Sequence, residues 1–291
     1  MQTIIKSSSL TLAINDLGAE ITSIKDNNQT EYIWQAGSEW KRHAPVLFPI
    51  VGKLKDNTYN FKDKSYHLTQ HGFARDLAFN LISSNESSCV YQLKSSDETK
   101  ENYPFDFRFT IKYMLLKNKV VISYSITNPS NEQLYFSVGA HPAFNCQLNG
   151  NDTLNDYYLE FDKSIFWLSE LKEGLICEGN TKLELGEKKL VLSSELFNND
   201  ALVFKNNQIN KLSLCSIIGH QKITLECKNW PFFGIWTKKN CDKFICLEPW
   251  YGITDSENST GNFQEKKGII SLNPQTNFSC NYSITINSQH L

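Results

Sequence analysis

No stretch of this chain approaches the roughly 18 consecutive apolar residues that a membrane-spanning helix requires, so no membrane association is expected. The opening residues Met1-Gln2-Thr3-Ile4-Ile5-Lys6-Ser7 lack a long apolar segment followed by a cleavage site, and the expected compartment is the cytoplasm. Positive charge is not in excess. Lys and Arg number 29 against 31 Asp and Glu, a formal net charge of -2. That balance cannot neutralise a phosphate backbone, which excludes nucleic acid as a partner. Among eight cysteines no Cys-x-x-Cys pair occurs, and Cys241 and Cys246 stand too isolated to build a zinc site. Scattered through apolar, strand-like contexts, the cysteines read as buried reduced thiols, and no metal or cofactor is expected. Helical periodicity is scarce, with Ser194 to Asn198 the best candidate. Internal repeats, low-complexity tracts and linker-like shifts in composition are all missing, so residues 1–291 are read as a single domain.

What is present is alternation. Leu10, Leu12 and Ile14 alternate with Thr11, Ala13 and Asn15, and Val120 to Thr127 keeps a period of two for eight residues, as does Tyr282 to Ile286. A period of two buries one face of a strand and wets the other. Shorter apolar runs follow at Ile21 to Ile24, Tyr157 to Phe161, Ala201 to Phe204 and Ile223 to Cys227. Clusters of Asn, Asp, Gly and Ser punctuate them at Lys25 to Gln29, Asp56 to Asn60, Asn149 to Asp152 and Asn206 to Asn210, and read as turns. Many short strands joined by polar turns predict an all-β sandwich or barrel.

Four segments break this pattern with His, Arg, Glu, Trp, Pro and Gly: Pro45 to Leu54, Gln70 to Asp76, Ser137 to Asn145 and Cys246 to Gly252. Singly, each has a structural explanation. His71 could cap a turn, Arg75 could pair with Asp76, His141 could be bonded to a backbone carbonyl, and Glu248 could belong to a salt bridge. Together they point to a site, because polar groups set among apolar strand ends cost free energy unless they are paired or used. His43, His67, His220 and His290 lie outside these segments and take no role. Asp255 and Glu257 read as a solvated loop.

The succession His71-Gly72-Phe73-Ala74-Arg75, Ala140-His141-Pro142 and Leu247-Glu248-Pro249-Trp250 resembles the aldose 1-epimerase (galactose mutarotase-like) superfamily, in particular its LacX-like bacterial branch. The likeness runs through nearly the whole chain and includes Gly268 to Pro274. It implies a large antiparallel β-sandwich, the galactose mutarotase-like supersandwich, with an open sugar cleft on one sheet. It implies His141 as general acid, Glu248 as general base, His71 and Arg75 as cleft residues holding sugar or phosphate oxygens, and Asp200 as the substrate-binding aspartate. Two departures bear on the substrate. Lys53 stands where galactose-specific members carry an Arg, which loses the planar bidentate fork, and Ala143 replaces an aromatic residue.

The chemistry implied is mutarotation: a pyranose ring opens, the C1–C2 bond turns, and the ring closes on the other face of the aldehyde. A base takes the anomeric hydroxyl proton while an acid protonates the ring oxygen. Histidine, with an ordinary pKa of about 6.5, and an ionised glutamate suit those duties. Arg75, His71 and Asp200 supply donors and acceptors for sugar hydroxyls, and Trp236 and Trp250 offer rings for the apolar sugar face. Three other readings remain open at this stage. Lys53, Arg75 and His71 could hold the phosphate of a hexose 6-phosphate. The fold could serve a sugar-binding protein without turnover. Asp200 and Glu248 could act as the carboxylate pair of a glycoside hydrolase. The expected ligand is thus a small sugar or sugar phosphate. Monomer and homodimer are both compatible with a sandwich whose edge strands are free to pair.

Overall fold

The computed structural model describes residues 1–287, and it is built almost entirely of antiparallel strands. The alternation read in Val120 to Thr127 becomes the strand Lys119–Thr127, in which Val120, Ile122, Tyr124 and Ile126 are buried and the residues between them are not. Its neighbours Arg108–Leu116 and Asn277–Asn287 pair with it in continuous register. They form the centre of a nine-stranded sheet that runs from Lys189–Val191 at one edge to Asn80–Ser84 at the other. The C-terminal strand extends well beyond the Tyr282 to Ile286 segment that alternation marks.

A second sheet of eight strands faces the first. Its order is Leu175–Glu184, Ile165–Lys172, Leu202–Lys205, Phe232–Trp236, Phe244–Tyr251, Val138–Ala140 and Val46–Leu47, with Ala143–Asn145 also paired to Phe244–Tyr251. Ile122, Tyr124, Ile284, Leu214 and Leu225 of the first sheet share one buried cluster with Phe166, Phe204, Ile235, Ile245 and Leu247 of the second. Two inner faces that each carry a row of apolar side chains can leave water only by packing on one another, which makes the sandwich. The N-terminal strands Gln2–Lys6, Leu10–Asn15 and Ile21–Asp26 form a small sheet of their own.

Local detail partly follows and partly departs from these expectations. Ser194–Phe197 is a single 3-10 turn, where the sequence offers its best short helical candidate. Among the described residues the one α-helix is Asp97–Asn102, where Ser96 and Thr99 cap each other's backbone N–H groups. A helix of six residues shows too little apolar period to be seen in sequence. The polar run Asp56 to Asn60 is a turn only at its start, since the strand Thr58–Phe61 begins inside it. All eight cysteines are free, seven of them buried and Cys177 half-buried. Among the described residues no helix is long and apolar enough to cross a membrane.

Candidate active site

The strand Phe244–Tyr251 is buried on both faces. Ile245 and Leu247 point into the sandwich core, so Cys246, Glu248 and Trp250 share the opposite face. Two short strands pair with this one on the same side: Gly139 lies opposite Trp250, and Ala143 opposite Cys246. The link between them is His141-Pro142. Proline has no N–H to give the ladder, and the join is made by the Leu247 N–H donating to the Pro142 carbonyl at 3.2 Å. The interruption places His141 beside Glu248. His141 Nε2 lies 3.3 Å from Glu248 Oε2, with side chains only 9% and 2% exposed. Two residues 107 positions apart in sequence thus share one floor.

Above that floor opens a cleft of 520 Å³, within the range of small-molecule sites. Aromatic rings hold His141 on three sides. Trp40 stacks on it at 5.0 Å, Trp236 meets it edge-on at 5.8 Å, and His71 does so at 5.5 Å. His71 is fixed by its backbone as well as its ring: its N–H donates to the Gly52 carbonyl, and its Nδ1 accepts from the Gly52 N–H at 3.1 Å. A neutral imidazole accepting at Nδ1 carries its proton on Nε2, which makes His71 a donor there. Gly52 is at φ 74 with an imagined Cβ only 2.4 Å from the Thr254 side chain, so neither the turn nor the space admits a larger residue. Arg75 donates to the Gln70 carbonyl at 2.6 Å and lies 3.7 Å from Asp76, while its buried Nε makes no hydrogen bond. Asp200 sits at φ 86, a left-handed conformation that Asp tolerates better than most residues.

Burial governs the charges. It drives Glu248 well above the ordinary carboxylate range; the Trp250 indole N–H opposes that rise and the Asp200 carboxylate adds to it. Burial likewise lowers His141 to about 3, with the cations Arg75 and Arg42 pushing in the same direction. His71 also falls well below its ordinary value, first by burial and then through His141, Arg75 and Arg42. Arg75 is lowered to about 10 by burial and by Arg42, which leaves it protonated at neutral pH. Glu248 Oε2 and His141 Nδ1 are buried without an aligned hydrogen-bond partner. Unsatisfied buried polar atoms cost free energy, and a catalytic role is one of the few reasons a fold keeps them.

Of the residues singled out in sequence, His71, Arg75, His141, Asp200, Trp236 and Glu248 all line this cleft, as does Trp250. Lys53 does not. Its Nζ reaches the Glu173 carbonyl at 3.4 Å, and the lysine that lines the cleft beside Arg75 is Lys238. Ala143 lies fully buried beneath the site, packed with Trp34, Phe244 and Cys246. Asp255 is not solvated: it is 4% exposed and ion-paired at 3.0 Å with the equally buried Lys266. Sequence reading missed Trp40, whose signal was a tryptophan among charges in Glu39-Trp40-Lys41-Arg42; Gln70, which opens the second of the four segments, also lines the cleft. His290 lies outside the described residues.

Among the described residues, one group of three side chains could hold a metal ion: His141, Cys246 and Glu248, with donor atoms within 4.8 Å of one another. Burial pushes the Cys246 thiol and the Glu248 carboxyl well up. Metals bind the deprotonated forms of both, so this set suits the handling of a proton better than the holding of a cation.

The family model described as aldose 1-epimerase matches residues 1–285. The chromosomal LacX protein of Lactococcus lactis subsp. lactis is 31% identical, over 97% of this chain and 98% of that protein. A galactose mutarotase related enzyme from Lactobacillus acidophilus superposes with a TM-score of 0.95 at 36% identity, covering 99% of this chain and 98% of that one. A galactose mutarotase-like protein from Lactobacillus casei does so with a TM-score of 0.91 at 26% identity, covering 99% and 100%.

Proposed function

The chain belongs to the aldose 1-epimerase family, and from that premise we propose that it is a mutarotase, interconverting the α and β anomers of a hexose through His141 and Glu248. The observation that carries the proposal is the 3.3 Å approach of two buried titratable groups on the floor of the cleft. The two oxygens exchanged in mutarotation, the anomeric hydroxyl and the ring oxygen, are bonded to one carbon. An acid and a base that serve them must stand close together.

The pair carries one proton. At rest burial disfavours charge on either group, so the proton lies on Glu248 and His141 is neutral. Moving it across the gap makes the ionic form, which opens the ring: Glu248 takes the anomeric hydroxyl proton while imidazolium His141 gives its proton to the ring oxygen. The C1–O5 bond breaks, a C1 aldehyde and a C5 hydroxyl result, and the pair returns to its neutral form. After rotation about C1–C2, Glu248 returns a proton to the carbonyl oxygen and His141 removes the C5 hydroxyl proton as the ring closes. No proton is gained or lost over the cycle. Each correctly placed acid or base contributes about 10²–10⁴-fold. Arg75, His71 and Asp200 hold sugar hydroxyls, and the Trp40 and Trp236 rings take the apolar face of the pyranose.

A hexose 6-phosphate is the second reading, favoured by Arg75 and Lys238 on the same cleft. The test follows the approach to anomeric equilibrium by NMR from freshly dissolved α-glucose, α-galactose and their 6-phosphates. Acceleration of one of them above the buffer rate is expected, and the fastest identifies the substrate. No acceleration for any of the four would overturn the proposal for hexoses.

A further inference from the structure

The indole nitrogen of Trp250 is buried without an aligned hydrogen-bond partner, as Glu248 Oε2 is. Glu248 and Trp250 stand two residues apart on the strand Phe244–Tyr251, so their side chains are neighbours on the cleft face. The indole touches the strands on both sides of its own. Gly139 lies opposite Trp250, and Gly234 opposite Glu248. An imagined Cβ on Gly139 would come 2.8 Å from the indole Cδ1, and one on Gly234 would come 2.3 Å from Cη2. Glycine inside a strand marks such a close approach. Leu47, Val51, Phe232 and Ile253 share one buried cluster with the ring. The indole is thus held in one orientation, with its N–H facing the Glu248 carboxyl.

Although the ring lines the cleft, its nitrogen is buried, so a sugar hydroxyl in the cleft does not reach the N–H. The acceptor that faces it is Glu248. An N–H gives much more to a carboxylate than to a neutral carboxyl. Out of line at rest, the bond would tighten as Glu248 ionises. We propose that Trp250 is a positioning residue: its indole N–H, seated by Gly139 and Gly234, holds Glu248 through the step in which that group carries charge. A contact that is stronger in the charged form than in the resting one speeds the step without tightening sugar binding. This inference rests on the mutarotase reading, in which Glu248 is the base, and gives Trp250 a duty other than stacking on the sugar.

The test replaces Trp250 by 3-benzothienylalanine, which keeps the fused rings and puts sulfur where the N–H stood, and compares it with Trp250→Phe. With the best hexose substrate, kcat of the benzothienylalanine protein is expected to fall about 10–100-fold, the worth of one hydrogen bond to a charged group, with KM little changed. Trp250→Phe should lose at least as much. A kcat that falls less than about tenfold in the benzothienylalanine protein would overturn the proposal. So would a loss confined to KM, the mark of a ring that only binds sugar. If the unaltered chain accelerates no hexose, the mutarotase reading fails on its own, and NMR of the Trp250 indole proton decides the contact. Its resonance, identified by its absence from Trp250→Phe, should move upfield in Glu248→Leu as the acceptor is lost. A resonance that stays in place or moves downfield would overturn the contact.

Discussion

Replacing Lys266 by Met removes one half of a buried ion pair that anchors a wall of the cleft. Lys266 Nζ, 3% exposed, holds Asp255 at 3.0 Å and donates to the Ile253 carbonyl at 2.5 Å. Asp255 in turn accepts from the Lys55 N–H at 3.0 Å, and its own backbone bonds Lys53 and Ile176. Beside it, the Thr254 hydroxyl donates to the Gly174 carbonyl at 2.6 Å, and both Thr254 and Gly174 line the cleft. The substitution leaves a buried carboxylate with a single backbone donor and a carbonyl with none. Removing one partner of a buried pair costs about 3–5 kcal/mol, which for a chain of this size lowers Tm by about 5–8 °C. Lys266→Met/Asp255→Leu, which removes both charges, should recover at least half of that loss. Thermal unfolding followed by circular dichroism at pH 7 measures both. A Lys266→Met protein melting within about 2 °C of the unaltered one would refute the idea that the pair holds the loop.

Other outcomes follow from the site. Because burial holds His141 down near 3, its imidazole does not titrate around pH 6.5, and kcat/KM should be level there. A rate profile with an acid limb centred near the ordinary histidine value of about 6.5 would contradict this. Gly234→Ala would set a Cβ 2.3 Å from the Trp250 ring. That overpacking should cost about 1–3 kcal/mol in urea unfolding and depress kcat, since Trp250 stands two residues from Glu248. Trp40→Ala removes the ring stacked on His141 and should lower kcat/KM about tenfold, measured by polarimetry at 25 °C.

The sandwich is legible in the chain because alternation is a local property. Val120, Ile122, Tyr124 and Ile126 announce their inward face without help from any distant residue. The site is legible only as chemistry. His141 and Glu248 stand out as polar residues amid apolar strand ends, but their approach depends on Gly139 and Ala143 both registering against one strand. Pairings that close so long a loop leave no periodic mark. Lys53 shows the limit of reading residue type alone. A charge at the expected place in sequence reaches the Glu173 carbonyl and does not line the cleft, and Lys238, in no conspicuous motif, does. Asp255 reads as solvated because its neighbours are polar, and its partner Lys266 arrives from a different loop.

The most direct test of the account compares the unaltered chain with His141→Asn, Glu248→Gln and the double variant, by NMR exchange between anomers of the best hexose substrate. The account predicts that each single variant loses about 10²–10⁴-fold in kcat. It also predicts that the double variant loses little more than the worse single one, because the two groups act as a unit. Either single variant equilibrating the anomers at the unaltered rate would contradict it.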